Sequence, residues 1–453
     1  MDEMTSKKNG QHDIRKVKQA YRRSRKIRNW KKRHMLQERL VAAGLLSGAL
    51  ILLIVAGIGF LQKGRDGGTS SVTVQEPLEA ASVRIGATGS FILHDAILES
   101  CAGSDGSYQF DPVFQYITPY YEELDFLTCE YEGTLAGEEA GYSGYPSFNA
   151  PDSIASSIRK SGVDLQLLAT NHIYDMGSSG LRRTMDVLDR ERICYTGIRQ
   201  EDSDSRYYIA DVKGIRIGWI DYTYETEGEG VNLNDISLDG EDAVLINTFD
   251  PDQLEDFYLD LEEQLEAMRE DGAEFIILNM HWGIEYRLDP TPVQTGIAQR
   301  AAELGVDALI GGHPHCLEPV DVITGADGKH KMFVIYSVGN ALSNQRKDIL
   351  SKEMPEGHTE DGVLVELTLS RGSEGRVEIT DVDIIPTWVY RSRLNAGTGT
   401  YHFYILPLDD TAHIEETTGL KDIASAAAES RDRTMAVLGG GTAKAKEIFA
   451  GES

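Results

Sequence analysis

A run of 23 residues from Leu40 to Gln62 contains no charged side chain, and it decides how the rest of this chain is organised. As a helix rising ~1.5 Å per residue, the run would reach about 33 Å, enough to span the hydrocarbon core of a bilayer. A buried helix of a soluble domain is the alternative, but such helices rarely exceed about 20 apolar residues without a charge. The run is also too long, and its N-terminal flank too extended, for an ordinary cleaved signal peptide. We therefore predict one transmembrane helix over residues 40–62.

The charges on either side of this run predict its orientation. Residues 1–39 hold 14 Lys and Arg against 4 Asp and Glu, a net charge of +10, so the remaining chain carries −39 of a total of −29. A basic arm could bind nucleic acid, but the positive-inside rule is the simpler explanation, because it keeps such a segment in the cytoplasm beside anionic lipid headgroups. We predict a single-pass cell-membrane protein with a cytoplasmic N-terminus, an extracytoplasmic main domain and no nucleic-acid partner.

The composition divides the external region further. Residues 63–82 are small and polar, which is typical of a flexible linker. From residue 83 to 405, apolar runs of strand length alternate with segments of helical periodicity, and this predicts a layered α/β domain whose strands are covered by helices. We predict a C-terminal tail over residues 406–453, with a helical stretch around 423–438 that frays at Gly439–Gly441.

Four cysteines are present, and no two of them form a CxxC pair, which excludes a zinc ribbon. An oxidising exterior permits disulfides, but their spacing alone does not pair them. Cys129 lies within an apolar strand, so a small buried residue is the simplest interpretation there.

Side chains that bind metal ions follow four of the apolar strands, at the point where each strand ends. They are Glu132 after the strand beginning at Phe126, Asn171 and His172 after Val163–Ala169, His281 after Phe275–Met280, and His313 and His315 after Val306–Ile310. Because the carboxyl ends of strands in an α/β sheet gather on one edge, these residues would converge there. A lone histidine at a strand end is more often structural, but four from three strand ends, with Asn and Glu, are a stronger signal. Imidazole, amide oxygen and carboxylate suit a borderline divalent ion such as Zn²⁺, Mn²⁺ or Fe.

The same stretches carry a family resemblance. In order along the chain they read ATGSFILHDAIL, CEYEGTLAG, YPSFNAPDSI, ATNHIYDMGSSGLRRTMDVLD, MHWGIEY, the segment from Gln294 to GGHPH, and YSVGN. Their order, spacing and letters resemble the motifs of the CapA-type capsule (poly-γ-glutamate) biosynthesis proteins over roughly residues 83–345. That family resembles the calcineurin-like metallophosphatases in layout, so the resemblance implies a layered metallophosphatase-like sandwich. It also implies metal ligation by Asn171, His281, His313 and His315, with Glu132 in the bridging acidic position and His172 as the catalytic or charge-stabilising imidazole. Asp95, His94 and Glu285 are candidates to orient the metal-bound imidazoles.

Two positions depart from that family's pattern. Where its first motif reads Gly-Asp this chain has Gly89-Ser90, and where its second reads Asn-Leu-Glu this chain has Glu130-Tyr131-Glu132. A serine hydroxyl is a poorer cation ligand than a carboxylate and brings no charge, so one of two metal positions would be weak. Glu130 shares a strand face with Glu132, because side chains alternate along a strand, and it is a candidate to supply the missing charge.

Two functions of different classes fit these residues. The first is a metal-dependent hydrolase acting on a phosphoester or a γ-glutamyl bond, with the metal as Lewis acid. The second is a non-catalytic scaffold or polymer-binding component with a degenerate metal site, which Ser90 favours. The resemblance points to an anionic cell-envelope polymer, such as poly-γ-glutamate, and to other capsule-synthesis membrane proteins as partners. The external charge of −39 argues against a broad basic surface for a polyanion, so any such contact must be local or bridged by metal.

Overall fold

The computed structural model describes residues 82–395, 397 and 399–450. The predicted basic arm and transmembrane helix, and nearly all of the predicted linker, lie outside the described residues. Within the described ranges, no helix combines the length and the apolar composition that a membrane crossing requires.

Strands dominate the described part of the chain. In chain order they are β1 (Ser82–Ile92), β2 (Phe126–Glu132), β3 (Leu165–Leu167), β4 (Cys194–Thr196), β5 (Tyr207–Val212), β6 (Ile215–Tyr224), β7 (Asn232–Leu233), β8 (Ile236–Ser237), β9 (Thr248–Phe249), β10 (Phe275–His281), β11 (Ala308–Gly312), β12 (Leu317–Thr324), β13 (Lys331–Val338), β14 (Asn340–Leu342), β15 (Asp361–Arg371), β16 (Val377–Arg391) and β17 (Phe403–Pro407).

Helices connect and cover these strands. They are α1 (Asp95–Cys101), α2 (Asp111–Phe114), α3 (Thr118–Tyr121), α4 (Ser153–Lys160), α5 (Gly177–Glu191), α6 (Leu254–Glu270), α7 (Pro292–Glu303), α8 (Ile414–Thr418) and α9 (Ala424–Ala450), with short 3₁₀ turns at Glu138–Ala140 and His358–Glu360.

Two mixed sheets form the body of the domain. The first has the order β17-β16-β15-β1-β2-β3-β4, with β14 paired to β1, and its β1 to β4 strands run parallel. The second has the order β12-β13-β11-β10-β6-β5, with β9 paired to β6, and its central strands β6, β10, β11 and β13 run parallel. Each sheet also contains antiparallel pairs, so each is mixed, and the α/β class that the alternation predicts is confirmed.

Three apolar layers separate the elements, so the domain has four layers in the order helices, sheet, sheet, helices. Residues such as Ile85 of β1 and Trp219 of β6 fill the space between the sheets. Residues such as Leu181 of α5 pack on the outer face of the first sheet, and Leu261 of α6 packs on that of the second. The sheets therefore bury both faces, which explains why their parallel strands read as nearly continuous apolar runs.

The C-terminal segment is part of this packing. α9 continues through Gly439–Gly441 to Ala450, so the expectation of fraying at the glycines is wrong. Leu438 and Phe449 of α9 are buried in the layer between the sheets. The physical reason is close contact: a Cβ on Gly441 would lie 2.1 Å from the carbonyl oxygen of Val320 in β12. Glycine allows the helix to approach the strand, and this contact outweighs the low helix propensity of the residue.

The cysteines are unpaired in the described residues. Cys101, Cys129 and Cys316 are buried and Cys194 is half-buried, all as free thiols. Cys129 is completely buried, as the interpretation of a small core residue predicts.

Candidate metal centre

The centre lies where the layer between the two sheets changes from apolar to polar. On β2, Phe126 belongs to the inter-sheet core, and Glu130 and Glu132 lie four and six residues further along the same face. On β10, Phe275 belongs to the same core, and His281 lies six residues further along. The carboxyl ends of the parallel strands of both sheets therefore deliver polar side chains to one buried place.

A β-bulge in β1 brings Ser90 to this face. The pairing of β1 with β2 shifts between Thr88 and Ser90, so Gly89 is the extra residue and Ser90 lies opposite Glu130. Without the bulge, alternation from Ile85 would direct Ser90 to the outer face of the sheet. A Cβ on Gly89 would lie 2.3 Å from the carbonyl oxygen of Gly339, so only glycine fits there. The bulge at Gly89 thus directs the side chain of Ser90 toward the space between the two sheets.

Three imidazoles surround one carboxylate oxygen. Oε1 of Glu132 lies 3.9 Å from Nε2 of His172, 3.9 Å from Nε2 of His281 and 3.7 Å from Nε2 of His315. Glu132 and His281 are fully buried, and His172 and His315 nearly so. All three rings therefore present the same nitrogen to the same oxygen, although they come from different strand ends.

Each of these rings is held through its other nitrogen. Nδ1 of His172 lies 2.8 Å from Oδ2 of Asp175. Nδ1 of His281 lies 2.6 Å from Oε1 of Glu130, and Nδ1 of His315 lies 3.1 Å from Oδ1 of Asn340. A carboxylate or an amide oxygen only accepts hydrogen bonds, so Nδ1 donates in each case. Nε2 is then the nitrogen that faces Glu132 in each ring, and an imidazole with its proton on Nδ1 binds a metal ion through Nε2.

Asn171 and His313 complete the cluster. Oδ1 of Asn171 lies 2.9 Å from Nε2 of His281, and the rings of His281 and His313 are 4.7 Å apart. Potential ligand atoms of Glu132, His281 and His313 all lie within 4.8 Å of one another, as do those of Glu285, His313 and His315. His313 and His315 have positive φ angles of 92° and 55°, so the strained turn after β11 directs both imidazoles inward.

The electrostatics of the cluster fit a cation. Neither carboxylate oxygen of Glu132 accepts a hydrogen bond from the described residues, and burial, reinforced by Glu130, raises its pKa well above the usual range. Burial and the neighbouring imidazoles lower the pKa of His313 far below its usual value and that of His315 to about 3, so these rings are neutral. Lone pairs and a carboxylate without a hydrogen-bond donor are costly to bury together, and a divalent cation removes that cost. The residues present therefore fit a borderline divalent ion bound by nitrogen and oxygen.

The structure brings together all the residues that the strand ends predict, namely Glu132, Asn171, His172, His281, His313 and His315. It gives the orienting role to residues that sequence reasoning missed, Asp175 and Asn340. Asp95 instead accepts a hydrogen bond from the backbone N–H of Gly144, at 2.7 Å. The spacing of Asp175 three residues after His172 was a usable signal, because a tight turn brings such residues together, whereas Asn340 was marked only as the last residue of the YSVGN stretch, without its partner.

Comparison with known proteins gives a family. Residues 84–345 match the family described as bacterial capsule synthesis protein PGA_cap. The PGA biosynthesis protein CapA of Bacillus subtilis (strain 168) is 25% identical over 278 residues, which is 60% of this chain and 65% of that protein. The capsule biosynthesis protein CapA of Bacillus anthracis is 24% identical over 243 residues, which is 52% of this chain and 55% of that protein. The matched part of this chain thus spans less than two thirds of either relative.

Among solved structures, the calcineurin-like phosphoesterase YfkN from Bacillus subtilis covers 68% of this chain and 90% of its own, with 14% sequence identity and a TM-score of 0.36. A likeness of that size is too slight to support a conclusion about the chemistry of this chain.

Proposed function

Since the chain belongs to the bacterial capsule synthesis protein family PGA_cap, we propose that it is a membrane-anchored, extracytoplasmic component of capsule or poly-γ-glutamate synthesis or export whose domain binds a divalent metal ion. The observation that carries the metal site is Glu132, a buried carboxylate that accepts no hydrogen bond from the described residues and that faces three Nε2 atoms at 3.7 to 3.9 Å. The layered sandwich around it supports a metallophosphatase-like arrangement.

Five side chains would hold the ion. Glu132, Asn171, His281 and His313 lie closest together, and His315 faces Glu132 from the other side. A bound divalent ion would supply Lewis acidity, polarising a phosphoryl or carbonyl oxygen of a substrate. Carboxylate, amide and neutral imidazole are ligands for Mn²⁺, Zn²⁺ and Fe²⁺ alike, so the donor set favours this group of ions over Ca²⁺ or Mg²⁺.

His172 is the residue best placed to move a proton. Its Nδ1 lies 2.8 Å from Oδ2 of Asp175, and Nδ2 of Asn234 lies 3.2 Å from that nitrogen and 3.4 Å from Oδ1 of Asp175. The ring of Phe148 packs edge-on against the imidazole, with centroids 4.7 Å apart. The ring is thus fixed in orientation, and its Nε2 faces the centre, where it would accept or donate a proton at a bound phosphoester or γ-glutamyl group.

A non-catalytic function is the second candidate, and one observation favours it. Position 90 offers a serine, and its hydroxyl donates to Glu130 rather than facing a free space. The centre therefore has fewer unengaged oxygen ligands than two ions would need. In that case the domain would hold an anionic polymer through a bound ion, or hold partner proteins of the synthesis machinery.

The experiment measures metal retained by the full-length protein in detergent after gel filtration in metal-free buffer. We expect the wild type to retain a stoichiometric divalent ion and the variant H281A/H313A to retain none. The matched control is H402A/H413A, which removes two exposed imidazoles and should retain as much as the wild type. Equal metal content in all three proteins would exclude the site.

The same preparations separate the two functions. An enzyme loaded with Mn²⁺ or Zn²⁺ should hydrolyse a generic phosphodiester or a γ-glutamyl substrate, and His172→Ala should lower that rate by about 10²-fold or more, the usual contribution of a general acid or base. Stoichiometric metal with no hydrolysis of either substrate would favour the scaffold.

A further inference from the structure

We propose that Glu130 is a positioning residue that holds His281 for the metal ion, and that Ser90 is the residue that fixes Glu130 in this role. The inference rests on the metal site of the proposed function and adds to it roles for Ser90 and Glu130.

The contacts of Glu130 form a chain of hydrogen bonds across the sheets. Ser90 and Glu130 are directly paired in the parallel ladder of β1 and β2, and the hydroxyl of Ser90 donates to Oε2 of Glu130. The other oxygen, Oε1, accepts from Nδ1 of His281 at 2.6 Å. Both oxygens of the carboxylate are therefore engaged, one by the first sheet and one by a residue of the second sheet.

The consequence falls on the other nitrogen of His281. With its proton donated to Glu130, Nδ1 cannot be the metal-binding atom, which leaves Nε2, and Nε2 lies 2.9 Å from Oδ1 of Asn171 and 3.9 Å from Oε1 of Glu132. A carboxylate that accepts from the distal nitrogen fixes the tautomer and the ring orientation and makes the imidazole a stronger donor. Asp175 and Asn340 hold the Nδ1 atoms of His172 and His315 in the same way. Glu130 therefore has for His281 the role that these residues have for the other two rings.

The surrounding backbone leaves room for this carboxylate. A Cβ on Gly312, at the end of β11, would lie 2.5 Å from Oε2 of Glu130. Glu130 thus fills the space above Gly312 and is only 7% exposed. A buried carboxylate seated against a glycine, with one donor on each oxygen, is held in one orientation.

Ser90 and Glu130 depend on each other. Residues paired across a ladder lie close together, so two carboxylates at these positions would repel each other, whereas a hydroxyl and a carboxylate attract. With a carboxylate at position 130, a small side chain that donates a hydrogen bond is therefore favourable at position 90. Because Glu130 is engaged by hydrogen bonds, the arrangement supports a single ion, bound through Glu132, Asn171, His281, His313 and His315.

The experiment titrates metal-free protein with Zn²⁺ by calorimetry in the wild type, E130Q and S90A. We expect one ion per wild-type chain. The affinity for Zn²⁺ should fall by about 10- to 100-fold in E130Q, because this is the usual cost of removing a residue that orients a metal ligand. The affinity should fall less in S90A. The matched control is E366Q, which removes another buried carboxylate of the first sheet whose partner is Arg84 instead of an imidazole. It should bind Zn²⁺ as the wild type does.

A second readout follows the proton itself. In ¹⁵N-edited NMR spectra of the metal-free wild type we expect a proton on Nδ1 of His281, and we expect E130Q to lose this preference. If the wild type binds no ion, the metal site of the proposed function is wrong, while the state of Nδ1 still tests Glu130. If the wild type binds Zn²⁺ and E130Q binds it equally well, the role of Glu130 is wrong and the proposed function stands. An unprotonated Nδ1 in the wild type would overturn the inference even if E130Q failed to fold.

Discussion

Glu132 is the residue on which the centre depends, because its charge has no hydrogen-bond donor to compensate it. Both of its oxygens are buried without an accepted hydrogen bond from the described residues, and Oε1 faces Nε2 of His281 and of His315 at 3.9 and 3.7 Å. Buried Asp361, in contrast, is satisfied by Ser430 and Arg433. The contrast separates an acid that the protein satisfies from one that a bound cation would satisfy.

Ser90→Asp tests this contrast at a single residue. The new carboxylate would lie beside Glu130 in a buried position, so we expect the metal-free variant to melt lower than the wild type. With added Mn²⁺ or Zn²⁺ the extra charge becomes a ligand, so the variant should gain more thermal stability from metal than the wild type does.

The matched control is Ser430→Asp, because Ser430 is also buried and also donates to a carboxylate, that of Asp361. It lies outside the centre, so its melting temperature should fall and metal should not restore it. A metal-independent loss in Ser90→Asp as well would show that Ser90 has only a packing role.

At the scale of elements, the ends of strands decide which side chains enter the centre. The strand beginnings at Phe126 and Phe275 match those predicted from apolar runs, and both strands continue into the polar residues Glu132 and His281. These residues were predictable because parallel strands of an α/β sheet end on a common edge. The bulge at Gly89 was not predictable from the sequence. The alternation of Ile85 and Ala87 predicts that Ser90 lies on the opposite face, and only the close approach of Gly339 reveals the shift.

The last helix shows a second limit of sequence reasoning. Three consecutive glycines predict a helix end from propensity, since glycine costs about 1 kcal/mol relative to alanine within a helix. In the structure α9 continues through them, because Gly441 contacts the backbone of Val320. Packing against a distant strand cannot be seen in local composition, so tertiary contact overrides propensity here.

Two alanine substitutions separate propensity from packing. Gly441→Ala would place its Cβ 2.1 Å from the carbonyl oxygen of Val320, so we expect the free energy of unfolding to fall by about 1–3 kcal/mol, the usual cost of overpacking. Gly440→Ala is the matched control, because no atom lies within 4 Å of its Cβ, and it should raise stability by up to about 1 kcal/mol. Denaturant unfolding of both variants measures the difference. Equal effects would mean that α9 does not pack on β12 as described.

At the scale of the whole molecule, charge and chain order predict how the protein is placed in a cell. Residues 1–39 carry +10 and the rest of the chain −39, with the uncharged run 40–62 following the basic arm. The described domain, which begins at residue 82, lies within the acidic part of the chain. Its acidic character would keep it from adhering to anionic lipid and to anionic polymer except where an ion intervenes.

Protease added to intact cells tests this placement. We expect the domain to be digested from outside, with an epitope tag at the C-terminus lost and one fused before Met1 protected until the membrane is permeabilised. The physical reason is that the basic arm resists translocation. Protection of the C-terminal tag together with loss of the N-terminal one would mean that the orientation is reversed.

The proposed metal ligands come from both sheets of the sandwich: Glu132 ends β2 and Asn171 follows β3 in one, and His281 ends β10 and His313 follows β11 in the other. An ion held by both would oppose their separation, since a ligand that binds only the folded state stabilises it by about 2.7 kcal/mol at a concentration 100 times its dissociation constant. With the domain outside the cell, as proposed, its resistance to extracellular proteases would then rise and fall with the trace-metal supply of the surroundings. Scarcity of that metal would shorten the working life of the domain before it limited any reaction at the centre.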